Sequence, residues 1–370
     1  MIIGVPKEIK LQEHRIGLTP ESVGILTEKG HEVLVQNNGG FEAGFSNEDY
    51  KKVRAKILDN AEDIFKKADI IVKVKEPQMN EVSMIRENQI IYTYLHLAAA
   101  KELTEGLVKS KAVCIAYETV TDDNGRLPLL APMSAVAGRM SIQAGAHSLE
   151  KNQNGRGLLI GGAPGVAPAN VVILGGGVVG ENAALIATGM RGKVYIVDKS
   201  ETRLKELYKI FGDKIIPTQS DQIDLKKLIL ECDLLIGGVL IPGAEAPKLI
   251  TKEMIKSMKR GSVIVDVAID QGGCVETSKP TTHAKPTYIV DGVVHYCVAN
   301  MPGGVPRTST MALNKATLPM LIKLADQGYK KTLKENKNYL AGLNVYKGKI
   351  TYKSVAEALN LKYTPVDQIL

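Results

Sequence analysis

Aromatic residues and clustered charge are scarce in this sequence. Its 370 residues include no tryptophan and four phenylalanines, and it has no basic block although the formal net charge is +7. Proteins that bind nucleic acids through charge concentrate lysine and arginine on one segment or face. Because the positive charges here alternate with acids along the chain, we expect no nucleic-acid partner. The net charge favours only small anionic ligands.

Cysteines and long apolar runs are scarce as well. Cys114, Cys232, Cys274 and Cys297 lie far apart and form neither a CxxC pair nor a metal-ligand cluster, so we expect no metal site. Free thiols fit a reducing cytoplasm. No apolar run reaches the length of about 20 residues that spans a bilayer, and MIIGVPKEIK lacks the regions of a signal peptide. We therefore expect a cytoplasmic protein with no membrane partner.

Strand-like and helical patterns alternate along the chain. The segments IIGV, HEVLVQ, DIIVKVK (69–75) and QIIYTYLH (89–96) predict buried strands in the first part. Between them, TPESVGILTEKG predicts a helix with Thr19 as its N-cap and Pro20 at its first position. A second series follows in NVVILG, KVYIVD, KIIPT, DLLIGG and SVIVDVA. This alternation predicts an α/β fold with parallel sheets.

A glycine-rich turn opens the second series. Gly175, Gly177 and Gly180 form G-x-G-x-x-G between the predicted strand VVIL and a predicted helix. In such motifs the first glycine permits a tight turn, the second lets pyrophosphate approach the backbone, and the third allows close helix–strand packing. Asp198 ends the next predicted strand, where a carboxylate accepts both ribose hydroxyls and repels a 2′-phosphate. The pattern predicts an NAD site; the alternative is a glycine turn of a generic α/β domain.

Polar residues follow the ends of several predicted strands, where open α/β sheets bind their ligands. These residues are Arg15, Lys75, His96, Asp270 and Asn300. Taken singly, they also fit surface ion pairs, solvated strand ends, a buried histidine or a turn cap. Taken together, they suit an amino or hydroxy acid: a guanidinium binds a carboxylate in a bidentate fork, an ammonium polarises a carbonyl oxygen, and an imidazole transfers protons.

Two long helical stretches, near residues 132–151 and 307–327, interrupt the alternation. A chain of this length fits two domains of ordinary size. We predict two Rossmann-like domains with parallel sheets, the NAD domain being inserted into a discontinuous substrate domain. The predicted NAD domain is 131–306, and the predicted substrate domain combines 1–130 with 307–370.

Eight segments of the chain carry a family resemblance. GVPKEIKLQEHRIGLTP, VKVKEP, YLHLAA, LAPMSAVAGRMSIQAGA, GGAPGV, VVILGGGVVGENAA, VDVAIDQGG and VANMPGGVPRTST together resemble the bacterial alanine dehydrogenase family, from the N-terminus to about residue 325. This family shares its fold with the alpha subunit of proton-translocating nicotinamide nucleotide transhydrogenase. The resemblance implies NAD-dependent, reversible oxidative deamination of L-alanine to pyruvate and ammonium, in a homohexamer.

The resemblance also implies roles for single residues. His96 would be the acid/base residue and Asp270 the second catalytic residue, while Arg15 and Lys75 would bind the substrate. Arg203 stands where the family often has lysine, which keeps the charge. The residues implied to line NAD, beside the three motif glycines, are Ser134, Val178, Val179, Asp198, Arg203, Ser220, Val239, Leu240, Val267, Ala268, Ile269, Asp270, Val298, Ala299, Asn300 and Met301.

Two other functions are compatible with the motifs. A soluble transhydrogenase alpha subunit would pass hydride to a second nicotinamide, would need a membrane partner, and would not need a histidine in YLHLAA. A non-enzymatic NAD-binding protein would keep the glycine loop without the chemistry. His96 together with Arg15 and Lys75 favours a dehydrogenase. The sequence leaves open the physiological direction and any side activity on glycine, glyoxylate or serine.

Overall fold

The computed structural model describes residues 1–239 and 246–370. The chain divides into two compact units, one formed by Met1–Pro132 with Val305–Leu370 and the other by Met133–Gly304. The strands are β1 Ile2–Val5, β2 Glu32–Gln36, β3 Lys56–Leu58, β4 Ile70–Val72, β5 Ile90–Thr93, β6 Val113–Ala116, β7 Asn170–Leu174, β8 Lys193–Asp198, β9 Ile215–Gln219, β10 Leu234–Gly237, β11 Val263–Asp266, β12 Thr287–Val290, β13 Val293–Tyr296, β14 Leu343–Tyr346 and β15 Lys349–Ile350.

Helices accompany the strands in both units. They are α1 Pro20–Glu28, α2 Asn47–Lys52, α3 Ala61–Lys67, α4 Met79–Val82, α5 Lys101–Ser110, α6 Ala131–Ser148, α7 Val178–Gly189, α8 Glu201–Phe211, α9 Leu225–Leu230, α10 Lys252–Ser257, α11 Pro306–Glu335, α12 Lys337–Leu340 and α13 Lys353–Leu359. Within α11, Gly328 leaves the helical conformation at a φ of 78° and interrupts the helix. Within the described ranges, no helix is long and apolar enough to cross a bilayer.

The first unit is built on a sheet with the strand order β15-β14-β6-β5-β4-β1-β2-β3. Strands β1 to β6 run parallel, and every residue of β4, β5 and β6 is buried. Burial on both faces explains why these segments are continuous apolar runs. The strand order reverses between β1 and β4, and such a switch point is where open α/β sheets bind ligands.

The second unit contains, among the described residues, a sheet with the order β12-β13-β11-β10-β7-β8-β9. Its order reverses between β7 and β10, so the glycine-rich turn after β7 lies at the switch point. Helix α7 packs on the sheet through its small residues Ala183, Ala184 and Ala187, which are fully buried. The small side chains allow a close approach of helix and strand.

The prediction of an α/β fold with two parallel sheets is confirmed in its main features. The edges differ: β14 pairs antiparallel with β6 and β15, and β12 pairs antiparallel with β13. Short hairpins join β14 to β15 and β12 to β13, since antiparallel neighbours need no crossover helix. The predicted N-cap of α1 is correct, because the Thr19 hydroxyl accepts a hydrogen bond from the Ser22 N–H and Pro20 follows at the first helical position.

Two predicted strands are too long. The segments 69–75 and 89–96 were expected to be extended throughout, but β4 ends at Val72 and β5 at Thr93. Side-chain carboxylates take the backbone N–H groups just beyond these ends. Glu8 accepts from Val74 and Lys75, and Glu118 accepts from Leu95 and His96. Hydrogen bonds to these acids replace the sheet ladder.

Candidate active site

The glycine loop between β7 and α7 forms a cradle of backbone groups. Gly175 has a φ of 91°, a left-handed conformation that favours glycine. A Cβ on Gly180 would overlap the carbonyl oxygen of Gly175, whereas a Cβ on Gly177 would meet no described atom within 4 Å. The Gly177 side of the loop is therefore open, and the Gly180 side is closed by the helix.

The N-terminus of α7 faces this open side. Gly177 is its N-cap, and no side chain in the described part of the chain caps it. The first N–H groups of a helix lack intrahelical partners, and together with the helix dipole they attract phosphate. A helix of 12 residues that begins directly at the glycine loop fits the pyrophosphate of a dinucleotide.

Asp198 is held against the same loop. One carboxylate oxygen accepts the Gly176 N–H at 2.7 Å and the other accepts the Ser200 N–H at 2.8 Å. Each oxygen has capacity for a further hydrogen bond, as a ribose diol requires. Sequence reasoning missed Gly176, although the run of three glycines contained it; a Cβ there would press on Leu207 and Asp198.

Arg203 lies beside Asp198, and its guanidinium is engaged by protein groups. Its Nε donates to the Gly176 carbonyl oxygen at 2.7 Å, one terminal nitrogen pairs with Glu206 at 2.9 Å, and the other pairs with Glu181. Two carboxylates thus neutralise the cation that a 2′-phosphate would otherwise attract. This arrangement favours NAD over NADP.

The other described residues predicted to line NAD lie at the carboxyl ends of the strands, on α6 or at the start of α7. Ser220 follows β9, and its N–H donates to the Asp198 carbonyl oxygen at 3.1 Å. Val239 follows β10, and its Cα lies 3.2 Å from the position of a Cβ on Gly175. Ser134 lies in the first turn of α6. Val178 and Val179 begin α7, and Leu240 lies outside the described residues.

Two further loops of the second unit carry the remaining predicted positions. Val267, Ala268, Ile269 and Asp270 form a short 3-10 helix directly after β11, so the strand predicted in SVIVDVA ends earlier than expected. Asp270 is exposed on it. Val298, Ala299, Asn300 and Met301 follow β13. Among the described residues, no group of three or more His, Cys, Asp or Glu side chains could hold a metal ion.

In the first unit, Arg15 lies in the loop between β1 and α1, with 3% of its surface exposed. The carboxylate of Glu13 accepts from its Nε at 2.6 Å and from a terminal nitrogen at 2.5 Å. Burial lowers the pKa of Arg15, but these hydrogen bonds and the Glu13 charge outweigh it, so the pKa is raised. A buried guanidinium fixed in this way is held in one orientation, which bidentate recognition of a carboxylate requires.

Two residues in the first turns of α11 fix the Arg15 loop. The Asn314 side chain on α11 accepts from the Thr19 N–H at 2.8 Å and donates to the Gly17 carbonyl oxygen at 3.1 Å. Thr310 accepts from the Ile16 N–H at 3.3 Å. A Cβ on Gly17 would overlap the Val72 carbonyl oxygen, so this glycine lets the loop approach β4. The first unit therefore needs its second chain segment to hold Arg15.

Lys75 follows β4 and is half-buried. Burial lowers the pKa of its ammonium, and the nearby Arg15 charge lowers it further. Two residues earlier, Lys73 is fully buried between Glu8 and Glu81, with oxygens at 3.0 and 2.8 Å from its Nζ. Because Glu8 also accepts the N–H groups of Val74 and Lys75, this cluster fixes the backbone that carries Lys75.

His96 follows β5 and is exposed, with a left-handed backbone at a φ of 50°. Its ring stacks on that of Tyr94, with centroids 5.8 Å apart and planes 15° from parallel. The Tyr94 hydroxyl donates to the Leu129 carbonyl oxygen at 2.6 Å. Burial raises the pKa of Tyr94, the Arg15 charge lowers it and the Glu118 charge raises it, so Tyr94 lies within reach of both groups.

The structure thus places Arg15, Lys75 and His96 on three loops at one edge of the first sheet, after β1, β4 and β5. Sequence reasoning missed the acids that hold them, namely Glu8, Glu13 and Glu118. Proximity to Arg15 was a signal for Glu13, but Glu118 is 22 residues from His96 and left no local signal. The glycine loop of the second unit and the buried cations of the first, each taken by itself, fit the class of dinucleotide-dependent enzymes that act on a small carboxylate.

Comparisons with known proteins agree with this class. Residues 4–137 match the model of the alanine dehydrogenase/PNT N-terminal domain, and residues 141–353 match that of the C-terminal domain. The chain is 55% identical over 370 residues to an alanine dehydrogenase of Halomonas elongata, and 51% identical over 371 residues to one of Methanococcus maripaludis, with 100% of each chain covered. The chain therefore belongs to the alanine dehydrogenase/PNT family. It is an enzyme of that family, and NAD is its cofactor.

Solved structures show the same relation. An L-alanine dehydrogenase superposes with a TM-score of 0.94 at 49% identity, covering 97% of this chain and 99% of that one. A transhydrogenase from Sinorhizobium meliloti superposes with a TM-score of 0.81 at 23% identity, covering 96% of this chain and 100% of that one. At that identity the transhydrogenase match shows a shared fold alone.

Proposed function

We propose that this enzyme catalyses the NAD-dependent, reversible oxidative deamination of L-alanine to pyruvate and ammonium. The observation that carries the proposal is the convergence of Arg15, Lys75 and His96 at the switch-point edge of the first sheet. We assign substrate binding to the unit formed by Met1–Pro132 and Val305–Leu370. We assign NAD binding to Met133–Gly304, whose switch point carries the glycine loop.

Arg15 and Lys75 bind the substrate in this proposal. The guanidinium, oriented by Glu13, binds the alanine carboxylate. The Lys75 ammonium contacts the carboxylate or the carbonyl oxygen that forms on Cα. Because burial and Arg15 lower the pKa of Lys75, its proton is held less tightly than that of an exposed lysine, and a negative oxygen nearby favours the charged form.

The glycine loop, the N-terminus of α7 and Asp198 hold the cofactor, and the Val267–Asp270 and Val298–Met301 stretches line it together with Ser134, Arg203 and Ser220. When bound, NAD supplies the acceptor that takes hydride from Cα of alanine. The alanine amine is neutral at that step, because loss of hydride beside an ammonium would place two positive charges on adjacent atoms. Loss of the hydride converts alanine to iminopyruvate, in its protonated form.

His96 carries the proton transfers that follow. As a general base it removes a proton from the water that adds to the imine carbon, giving a carbinolamine. As a general acid it then returns that proton to the amine, and Asp270 or the freed His96 accepts the hydroxyl proton, so that ammonia departs as the C–N bond breaks and pyruvate forms. An exposed imidazole after β5 suits this work, because imidazole is the side chain that most often serves as a general acid or base.

The test is NADH formation by the purified enzyme with L-alanine, L-serine, glycine or no amino acid. We expect a strong signal with L-alanine, and a loss of about 100-fold or more in kcat for His96→Ala. NAD binding without turnover would instead support a non-enzymatic NAD-binding protein. Hydride transfer only to a second nicotinamide nucleotide would support the transhydrogenase alternative. Near-normal turnover of the His96→Ala variant would refute the acid/base assignment.

The assembly and location are part of the same proposal. We infer a cytoplasmic homohexamer, with L-alanine, pyruvate and ammonium as its small-molecule partners. The family resemblance supports the hexamer, and the four cysteines, all free and buried, support a reducing compartment. Light scattering coupled to size-exclusion chromatography measures the assembly directly: a mass near 240 kDa, six times the 40.0 kDa chain, is expected.

A further inference from the structure

The backbone of His96 has an unusual conformation for a residue after a buried strand. Its φ of 50° and ψ of 39° lie in the left-handed region, where residues other than glycine are strained and persist only when their surroundings hold them. Every residue of strand β5 is buried up to Thr93, and the left-handed residue turns the chain out of the sheet. The imidazole is thereby exposed beside the ring of Tyr94.

Glu118 supplies the contact that holds this turn. One of its carboxylate oxygens accepts the His96 N–H at 2.6 Å and the Leu95 N–H at 3.1 Å, and the other oxygen lies 3.2 Å from the Leu95 nitrogen. A carboxylate that accepts two adjacent N–H groups takes both away from the sheet ladder. Bonds to a charged acceptor are stronger than neutral ones.

Glu118 is itself fixed by its neighbours in sequence. It lies in the 3-10 turn Tyr117–Thr119, directly after β6, which pairs with β5. The buried Tyr117 hydroxyl donates to the Lys73 carbonyl oxygen at 3.1 Å, and the Thr119 hydroxyl accepts from the Asn344 side chain at 2.7 Å. The carboxylate therefore has a rigid support in the turn after β6, the strand next to β5, which ends at Thr93 just before His96.

We propose that Glu118 is a positioning residue for His96, holding its backbone in the left-handed conformation from which the imidazole transfers protons. This inference rests on the proposed function, since it assigns Glu118 a part in the same reaction. Glu118 acts through His96 and touches neither substrate nor cofactor in this role. Its removal should therefore lower the rate of the chemical steps while leaving the binding of alanine and NADH unchanged.

The test compares Glu118→Ala and Glu118→Gln with Glu105→Ala, which removes an exposed glutamate of the same unit. We expect kcat to fall about 10- to 100-fold in Glu118→Ala, because small misplacements of a catalytic group have effects of that size. The KM for L-alanine and the Kd for NADH should change less than about twofold. Glu118→Gln keeps one acceptor oxygen and should recover part of the lost kcat, while Glu105→Ala should match the wild type.

A second measurement separates positioning from general damage to the fold. In a His96→Ala background, Glu118→Gln should lower the residual kcat no further, because the two residues act as one unit. A further loss of kcat in the double variant would overturn the inference. So would a rise in the KM for L-alanine in Glu118→Ala as large as its fall in kcat. The inference would also be overturned if Glu118→Ala had the kcat of the wild type while His96→Ala had a lower one. If Glu118→Ala does not fold, the Glu118→Gln results in the two backgrounds decide. A wild-type enzyme that is inactive with L-alanine would refute the proposed function instead.

Discussion

The two units share a strand order but build their binding edges from different materials. From one edge the core strands run β3-β2-β1-β4-β5-β6 in the first unit and β9-β8-β7-β10-β11-β13 in the second, so each has its switch point between its first and fourth strands. The second unit places glycines and backbone N–H groups there. The first unit places a buried arginine, two lysines and their counter-carboxylates. The same topology thus presents either backbone or charge to a ligand.

The difference follows from what each edge must hold. Backbone N–H groups at a helix terminus need no counter-ion, so the glycine loop needs only room for a ligand to approach. A buried charge is expensive to desolvate and requires partners. Arg15 accordingly pairs with Glu13, and Lys73 pairs with Glu8 and Glu81. We expect the first edge to fail when charge is removed and the second to fail when a side chain is added.

The largest expected effect is on the buried charge cluster of the first unit. Lys73→Met leaves Glu8 and Glu81 buried without their cation, so the free energy of unfolding should fall by about 3–5 kcal/mol. Urea denaturation measures the change. Lys51→Met removes a lysine of an exposed ion pair, Lys51 with Glu48 at 2.8 Å, and should leave stability nearly unchanged. Similar small shifts in both variants would show that burial of the cluster does not decide stability.

A single methyl group should break the backbone-built edge. Gly180→Ala places a Cβ against the Gly175 carbonyl oxygen. Such overpacking costs about 1–3 kcal/mol of folding free energy and should displace the loop. We expect NADH, titrated by its fluorescence, to bind about 10- to 100-fold more weakly. Gly189→Ala is the matched control on the same helix, because a Cβ there meets no described atom within 4 Å. Equal affinities of the two variants would contradict the close packing of the loop.

The Asp198 charge on the second edge should affect selectivity more than affinity. Asp198→Asn removes the repulsion of a 2′-phosphate while keeping an acceptor for the Gly176 N–H. The ratio of kcat/KM with NAD to that with NADP should fall about tenfold, or about 1.4 kcal/mol. Glu201→Gln, three residues further along and paired with Lys205, should leave the ratio unchanged. A constant ratio in the Asp198→Asn variant would mean that Asp198 does not select the cofactor.

The smallest effect concerns the pH dependence of the first edge. Burial and the Arg15 charge lower the pKa of Lys75 from 10.5, so its ammonium loses a proton at a lower pH than that of an exposed lysine. The KM for pyruvate should therefore rise with pH before 10.5 is reached. The arginine of Lys75→Arg stays charged throughout this pH range, so the increase in the KM for pyruvate should move to higher pH. Identical profiles for the wild type and Lys75→Arg would exclude Lys75 as the group that titrates.

Local patterns were sufficient to predict much of the fold and the backbone-built edge. The apolar runs of β4 to β6, the Thr19–Pro20 start of α1 and the spacing of Gly175 and Asp198 each express a rule within about 25 residues of chain. The same rules predicted C-terminal ends for β4 and β5 that lie three residues too far along the chain. The strands end where Glu8, in the loop after β1, and Glu118, in the turn after β6, accept the backbone N–H groups. No local pattern predicts which backbone N–H a carboxylate distant in sequence will bind.

The sequence by itself determined the α/β alternation, the glycine turn and the presence of charged residues after the strands, because periodicity, steric freedom and charge are properties of neighbouring residues. Only the tertiary structure decided how those charges are held. It brought Asn314 and Thr310 of α11 onto the Arg15 loop, buried Lys73 between two acids, and set Glu118 against the backbone of His96. Buried charge and strained backbone are stable only with partners at fixed distances, and packing alone supplies partners from remote parts of the chain.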